Sequence, residues 1–186
     1  MGASDPDHHL DEVLDQVLVG GREKRRIVIV DYDPEWPRRF GVERQKIAHA
    51  LGPEAIRIEH IGSTAVPGLG AKPIIDVLVT VEDPDDEGRI RPALEAVGYQ
   101  LRVREPRHRM FRTPARDVHV HVWADGDAEV DRTLRFRDRL RASAEDRRAY
   151  ERLKRELAQR DWSDMNYYAE AKTDLITAIL NRGAAR

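Results

Sequence analysis

The stretch His60-Ile61-Gly62-Ser63-Thr64-Ala65-Val66-Pro67-Gly68-Leu69-Gly70-Ala71-Lys72-Pro73-Ile74-Ile75-Asp76-Val77-Leu78-Val79-Thr80-Val81 decides how the chain is read. It opens at the end of Ala55 to Ile61, a run that reads as a strand. Gly62-Ser63-Thr64 is a turn, and Pro67 to Gly70 is loop. Ile74 to Val81 is apolar and β-branched apart from Asp76 and Thr80, as befits a central strand. Asp76 is the informative exception. A carboxylate in a buried strand loses its hydration and persists only if paired, hydrogen-bonded or bound to metal. Two readings stand side by side: a metal ligand or general base at the sheet's active edge, or a salt bridge to an Arg or to Lys72.

Downstream, Asp117 to Trp123 is the cleanest alternation in the chain. Asp117, His119, His121 and Trp123 fall on one face, and Val118, Val120 and Val122 on the other. His119 and His121 lie about 7 Å apart along a strand. Two imidazoles so placed can hold one metal or contact a phosphate, or can form a solvent-facing pair on an edge strand. Upstream, Gly62 permits close backbone approach, while the Ser63 and Thr64 hydroxyls with nearby N–H groups can hold a phosphate. The bland reading is an ordinary turn. His60 precedes this turn and points either to the same cleft or into structure. Lys72 can neutralise a phosphate or pair with Asp76. Arg107, Arg109 and Arg112 flank His108 as a basic group suited to an anion or simply solvated. Tyr167, Tyr168, Glu170 and Lys172 share one helix, where Tyr168 and Lys172, four apart, can present a ring and a cation to a ligand.

The remaining segments are read by period and punctuation. Residues 1 to 9 read as a disordered leader. Leu10 to Val19 follows as a helix stopped by Gly20-Gly21, and residues 1–25 read as an appendage to a domain over 26–183. Arg26 to Val30 reads as a strand. A helix then starts with Asp33 as N-cap and Pro34 in the first position, and carries Trp36, Phe40, Ile47 and Leu51 on one face. Asp83 to Val97 reads as a helix with Pro92 as a possible break, and Tyr99 to Glu105 and His108 to Thr113 as strands around Pro106. Helices over Val130 to Arg141, Ala144 to Arg160 (N-cap Ser143) and Met165 to Arg182 (stop at Gly183) complete the chain. Strands early and helices late give an α+β layout: a mixed β-sheet with helices on one face and a helical C-terminal segment.

At 186 residues the chain suits one domain, able to bury roughly 70% of its unfolded surface without a staple. It has no cysteine, which excludes disulfides and thiolate metal sites. A net charge of −2 argues against a dedicated nucleic-acid binder. No run approaches a membrane span, and the polar, acidic start is not a signal peptide, so the cytoplasm is the expected location. The oligomeric state is not legible, although the apolar stripe of Leu10 to Val19 suits an oligomerisation element.

The segments His60 to Leu69 and Ala71 to Val77 closely resemble the signature of the GrpB family. Asp33-Pro34-Glu35-Trp36 looks like that family's opening motif, His119-Val120-His121-Val122 like its later strand, and Tyr168 to Lys172 like its C-terminal Tyr-Lys helix. The resemblance runs from about Ile27 to Leu180. It implies a polymerase-β-like nucleotidyltransferase fold, and a related domain is fused to dephospho-CoA kinase in some bacteria. In active nucleotidyltransferases a Gly-Ser turn precedes an Asp-x-Asp/Glu strand, a later strand adds a third carboxylate, and two Mg²⁺ are held. Here Gly62-Ser63 and Asp76 fit, Leu78 replaces the second carboxylate, and His119 or His121 takes the third position. Imidazoles favour Zn²⁺, Mn²⁺ or Ni²⁺ over Mg²⁺.

Two functions follow. One is a metal-dependent nucleotidyl- or phosphoryl-transferase. Asp76, His119 and His121 would be its catalytic and metal-binding set, and Gly62, Ser63, Thr64, Lys72, Arg109, Tyr168 and Lys172 would hold a nucleotide. The other is a non-catalytic module that binds a nucleotide or coenzyme A, or assists a coenzyme A biosynthetic enzyme.

Overall fold

Five strands form one mixed sheet: β1 (Arg57–Ile61), β2 (Ile75–Val81), β3 (Gln100–Glu105), β4 (His108–Arg112) and β5 (Val118–Ala124). The computed structural model describes residues 6–184. The strand order is β1-β2-β5-β4-β3, with β2 and β5 parallel and every other pairing antiparallel. The register sets Asp76 opposite Ile61 on one side and opposite His119 on the other.

Side-chain alternation divides the sheet into two faces. On one, Ile75, Val77 and Val79 of β2 and Val118, Val120 and Val122 of β5 pack against α2 (Trp36–Leu51) and α3 (Glu87–Ala96). Trp36, Ile47, Leu51, Ile90 and Leu94 are the helical half of that core. Each such side chain contributes about 1.5–3 kcal/mol on burial, enough to lock the register that aims the alternate residues the other way. Those alternate residues, Asp76 and Leu78 of β2 and His119, His121 and Trp123 of β5, face the second layer.

That layer consists of α4 (Ala128–Ala142), α5 (Ala144–Leu157), α6 (Met165–Glu170) and α7 (Thr173–Ala184). Val130 of α4 closes over Ile61 and Leu78. Leu140, Tyr150 and Ile179 clamp Val66 and Leu69, which tethers the loop after the Gly-Ser turn to the helices. Ser143 caps α5 as expected, accepting from the Asp146 N–H. The arrangement is α+β, with a helical C-terminal segment laid over the chemical face.

Several local expectations are corrected. Arg26 to Val30 forms no strand, since only Val30 bridges to Ala71. Ile27 and Ile29 instead pack beside Leu157 and Tyr168, so β-branched character is spent on side-chain burial. Asp33 is not the N-cap of α2 and Pro34 is not in its first turn. Asp33 accepts from the Glu35 N–H in a preceding turn, and Pro37 takes the first-turn place. The helix expected from Asp83 begins at Glu87, because Asp83 turns the chain by accepting from the Asp85 N–H. Pro92 sits inside α3 without breaking it, on the exposed side with Gly88 one turn before. α5 stops at Leu157 rather than Arg160, and α7 passes through Gly183. The helix expected over Met165 to Arg182 is two helices, since Lys172 N–H bonds to Ala169 O in a tight turn between α6 and α7.

At the start, Pro6 to His9 belong to α1 (Pro6–Val17) rather than to a disordered leader, and residues 1–5 lie outside the described residues. Leu14 is buried, Leu18 bridges to Val103, and the Arg102 guanidinium donates to the carbonyls of Val19 and Gly21. Among the described residues no helix is long and apolar enough to cross a membrane.

Candidate functional site

The site begins with a steric requirement. Gly62 has φ +69°, the left-handed region that L-residues avoid, and a Cβ built on it would lie 2.3 Å from Asp76 Oδ2. The turn after β1 is therefore pressed directly against the carboxylate of β2. Across the parallel pairing, His119 Nδ1 is 3.4 Å and His121 Nε2 3.9 Å from Asp76 Oδ1. The ligand atoms of these three side chains all lie within 4.8 Å of one another, close enough to share one ion. Burial pushes the Asp76 pKa up, but His119 and His121 outweigh it and hold the carboxyl well below the usual range.

Facing Asp76 and His121 is a cavity of about 420 Å³, lined by Gly62, Ser63 and Asp76 from the sheet side and by Tyr150, Lys154, Tyr168 and Lys172 from the C-terminal layer. Lys154 Nζ donates to Ser63 Oγ at 3.0 Å and to the Gly70 carbonyl. Lys172 Nζ donates to Tyr168 O at 2.8 Å and lies 3.7 Å from the centre of the Tyr168 ring. Lys72 Nζ stands over the same ring at 5.1 Å. Burial drives Lys154 and Lys172 down to about 7, with Lys72 adding like-charge repulsion to both, and burial also lowers Lys72 itself. Tyr168 lines this cavity; its hydroxyl is buried with no hydrogen-bond partner among the described residues, and burial pushes its pKa up to about 12.

The expected residues divide sharply. Gly62, Ser63, Lys72, Asp76, His121, Tyr168 and Lys172 converge on the cavity, and His119 supports it through Asp76. Thr64 touches the cavity, but its hydroxyl is committed to Ile74 O and to His60. His60 does not point to the cleft. It stacks on Phe40 of α2 at 4.6 Å, and burial lowers it to about 4. Arg109 is not in the site either. Alternation in β4 sends it to the face opposite His108, where it is buried against Glu87 and Asp85. Arg107 pairs with Asp127, and Arg112 with Glu23. Tyr168 and Lys172 meet as expected but not on one helix, since Lys172 occupies the turn between α6 and α7.

Residues 26–182 match the family model described as GrpB protein. The chain belongs to the GrpB family. It is 52% identical over 170 residues to a UPF0157 protein of Streptomyces coelicolor, covering 91% of each chain. The crystal structure of the conserved protein GrpB from Enterococcus faecalis superposes with a TM-score of 0.75 at 33% identity, covering 84% of this chain and 96% of that one. A dephospho-CoA kinase of Mycolicibacterium paratuberculosis is 30% identical over 173 residues, covering 77% of this chain and 42% of that protein. In this GrpB fold a Gly-Ser turn, an acidic strand and a neighbouring parallel strand converge on one cleft.

Tyr150 and Lys154, which line the cavity, escaped the sequence reading. Tyr150 and Lys154 lie on α5, whose buried positions are Asp146, Tyr150, Lys154 and Leu157. A lysine in the apolar stripe of a helix, flanked at i−4 and i+3 by Tyr150 and Leu157, was the available signal.

Proposed function

We propose that this GrpB protein binds a nucleotide, or another small molecule bearing several phosphates, in the cleft between sheet and C-terminal helices, together with one divalent ion. The lysine trio carries this reading. Lys72, Lys154 and Lys172 line one cleft, Lys72 and Lys172 over the Tyr168 ring and Lys154 over the Tyr150 ring, and among the described residues the hydrogen bonds of Lys154 and Lys172 go to neutral oxygens. Buried ammonium groups without anionic partners are costly, and a polyphosphate supplies the missing charge. Ser63 stands beside Lys154 to receive a terminal phosphate, and the Tyr168 hydroxyl has a free bond to give.

A pair of Mg²⁺ ions does not fit the donors. Mg²⁺ takes oxygen ligands, and Leu78, two residues after Asp76, is apolar and sealed under Val130. A single ion that accepts imidazole nitrogen, such as Zn²⁺ or Mn²⁺, fits Asp76, His119 and His121. When bound it supplies Lewis-acid polarisation of a phosphoryl oxygen. In a transfer reaction the acceptor hydroxyl oxygen attacks phosphorus, and the bond to the bridging oxygen breaks. Pyrophosphate leaves among the lysines; either Asp76 receives the hydroxyl proton, or Asp76 would hold the ion and the departing pyrophosphate takes up that proton.

Leu78 also favours a second reading, a module that keeps the phosphate cleft without transfer chemistry. The likeness to a mycobacterial dephospho-CoA kinase supports coenzyme A, or an enzyme that makes it, as ligand or partner for such a module.

The test is a melting-temperature titration with ATP, GTP, CTP and coenzyme A, each with and without Mg²⁺, Mn²⁺ or Zn²⁺, with Asp76→Asn alongside. A ligand at 100 times its Kd stabilises by about 2.7 kcal/mol. A metal-dependent shift in wild type that Asp76→Asn loses supports the ion and nucleotide site and justifies an acceptor screen. A metal-independent shift favours the binding module, and no shift with any compound overturns both.

A further inference from the structure

At the His121 side of the same cavity lies a flat arrangement of rings to which the proposed phosphate binding assigns no role. His108 of β4 stands opposite Trp123 of β5 in the sheet register. The His108 ring lies 4.5 Å from that of Trp123 at 14°, and the His121 ring 5.2 Å from it at 11°. The two imidazoles are parallel to within 4°, with centroids 5.5 Å apart. His108 Nε2 and His121 Nδ1 are separated by 3.3 Å. The centroid separation exceeds the nitrogen separation by roughly two ring radii, so the rings sit edge to edge in one plane. Both lie flat on the indole, with their hydrogen bond in that plane.

The far edge of His108 fixes the direction of this bond. Its Nδ1 is 2.7 Å from Glu105 Oε2. An ionised carboxylate only accepts, so Nδ1 of His108 carries a proton. A neutral His108 then presents its Nε2 lone pair to His121, whose Nδ1 must be the donor. The remaining nitrogen of His121, Nε2, is left with its lone pair on the side of Asp76. The 3.9 Å between that nitrogen and Asp76 Oδ1 is too long for a hydrogen bond, as expected when neither atom carries a proton for the other.

We propose that Glu105 and His108 are positioning residues which, on the Trp123 platform, hold His121 in the Nδ1–H tautomer and aim its Nε2 lone pair at the Asp76 site. The benefit to an ion rests on the ion reading above, while the tautomer does not. Metal-binding histidines commonly donate their second nitrogen to a fixed acceptor, which sets the ring and raises its basicity. Here an imidazole backed by a carboxylate is that acceptor.

The first measurement is a long-range ¹H–¹⁵N correlation spectrum of the ion-free protein at pH 8, which distinguishes the two tautomers of each histidine. Wild type is expected to show His121 with Nδ1–H. His108→Phe keeps a flat ring on Trp123 and removes the acceptor, and Glu105→Leu, at a partly exposed position, removes the carboxylate. Both are expected to return His121 to the Nε2–H form that prevails in water, whereas Glu105→Gln, which keeps an acceptor oxygen, preserves Nδ1–H. Calorimetric titration with Co²⁺ or Zn²⁺ is expected to show a 10- to 100-fold loss of affinity in His108→Phe. An Nε2–H tautomer in wild type, or a tautomer unmoved by both His108→Phe and Glu105→Leu, overturns the proposal. A wild type with the expected tautomer and no ion uptake keeps the relay and removes the ion site.

Discussion

Gly62→Ala tests the geometry on which the site depends, because two separable costs meet at one atom. At φ +69° and ψ −172°, a region that is nearly glycine-only, an alanine costs about 1–3 kcal/mol of backbone strain. Its Cβ would also fall 2.3 Å from Asp76 Oδ2, 3.0 Å from Cγ and 3.1 Å from Cβ of the same residue. To restore even a 3.0 Å contact the carboxylate oxygen must retreat by at least 0.7 Å. Ligand distances in a metal site hold to within about 0.2 Å, so this displacement disables Asp76 as a donor shared with His119 and His121. Gly68→Ala is the control. It has φ +75° with nothing within 4 Å of a built Cβ, so it carries the backbone cost alone. In thermal unfolding both variants are expected to melt lower than wild type, by roughly 2–4 °C for each kcal/mol lost. In Zn²⁺ or Mn²⁺ titration only Gly62→Ala is expected to lose binding, with Gly68→Ala retaining wild-type affinity. A Gly62→Ala protein that binds the ion as wild type does would refute the contact between turn and carboxylate as the basis of the site.

Two further predictions concern the lysine cleft. With folded pKa values of about 7, Lys154 and Lys172 hold fewer protons than the unfolded chain does between pH 7 and about 10.4. Stability is therefore expected to rise with pH across that window, by at most about 1.4 kcal/mol per pH unit per lysine, with the full cost of the buried charge present below pH 7. Denaturant unfolding at pH 7, 8 and 9 should show this slope reduced in Lys172→Met, and pyrophosphate should bind more weakly as pH rises through the same range. Tyr168→Phe removes a buried hydroxyl that has no partner, so the unliganded variant should be as stable as wild type or more so by about 1 kcal/mol, while pyrophosphate affinity falls several-fold. A destabilised unliganded Tyr168→Phe would show that the hydroxyl is already satisfied.

The sheet half of the site was legible because strands write their faces into the sequence. Alternation over Asp117 to Trp123 placed His119 and His121 together, and one carboxylate in the apolar run Ile74 to Val81 marked Asp76. The same two-residue rule excludes Arg109, which the sequence reading grouped with the site from mere nearness to His108. The helical half was harder. Lys154 reaches Ser63 across 91 residues of sequence, a meeting set by the packing of α5 against the Gly-Ser loop and not by any local spacing. Lys172 was expected on a continuous helix, but the turn after α6 swings its ammonium back onto Tyr168. Arg26 to Val30 failed as a strand because β-branched composition reports burial as readily as sheet pairing, and here Ile27 is buried by α5 and α6.

Leu78 links the packing of the fold to its chemistry. Residues 76 and 78 of β2 face the same layer, so a second carboxylate at 78 would point toward the cleft side, as an oxygen-only two-ion site requires. In this chain the position is completely buried, in contact with Ile61 and Val130, and α4 crosses directly over it. An acidic side chain there would be buried beneath α4 against Ile61 and Val130, at a cost of several kcal/mol. Replacing Leu78 alone therefore does not recover a second ion site, because the volume that ion would occupy is held by the start of α4. The apolar residue at position 78 and the seating of α4 go together. Asp76 has imidazole nitrogens beside it, and under the proposed ion reading that donor set would favour an ion suited to imidazole over a pair of Mg²⁺ ions.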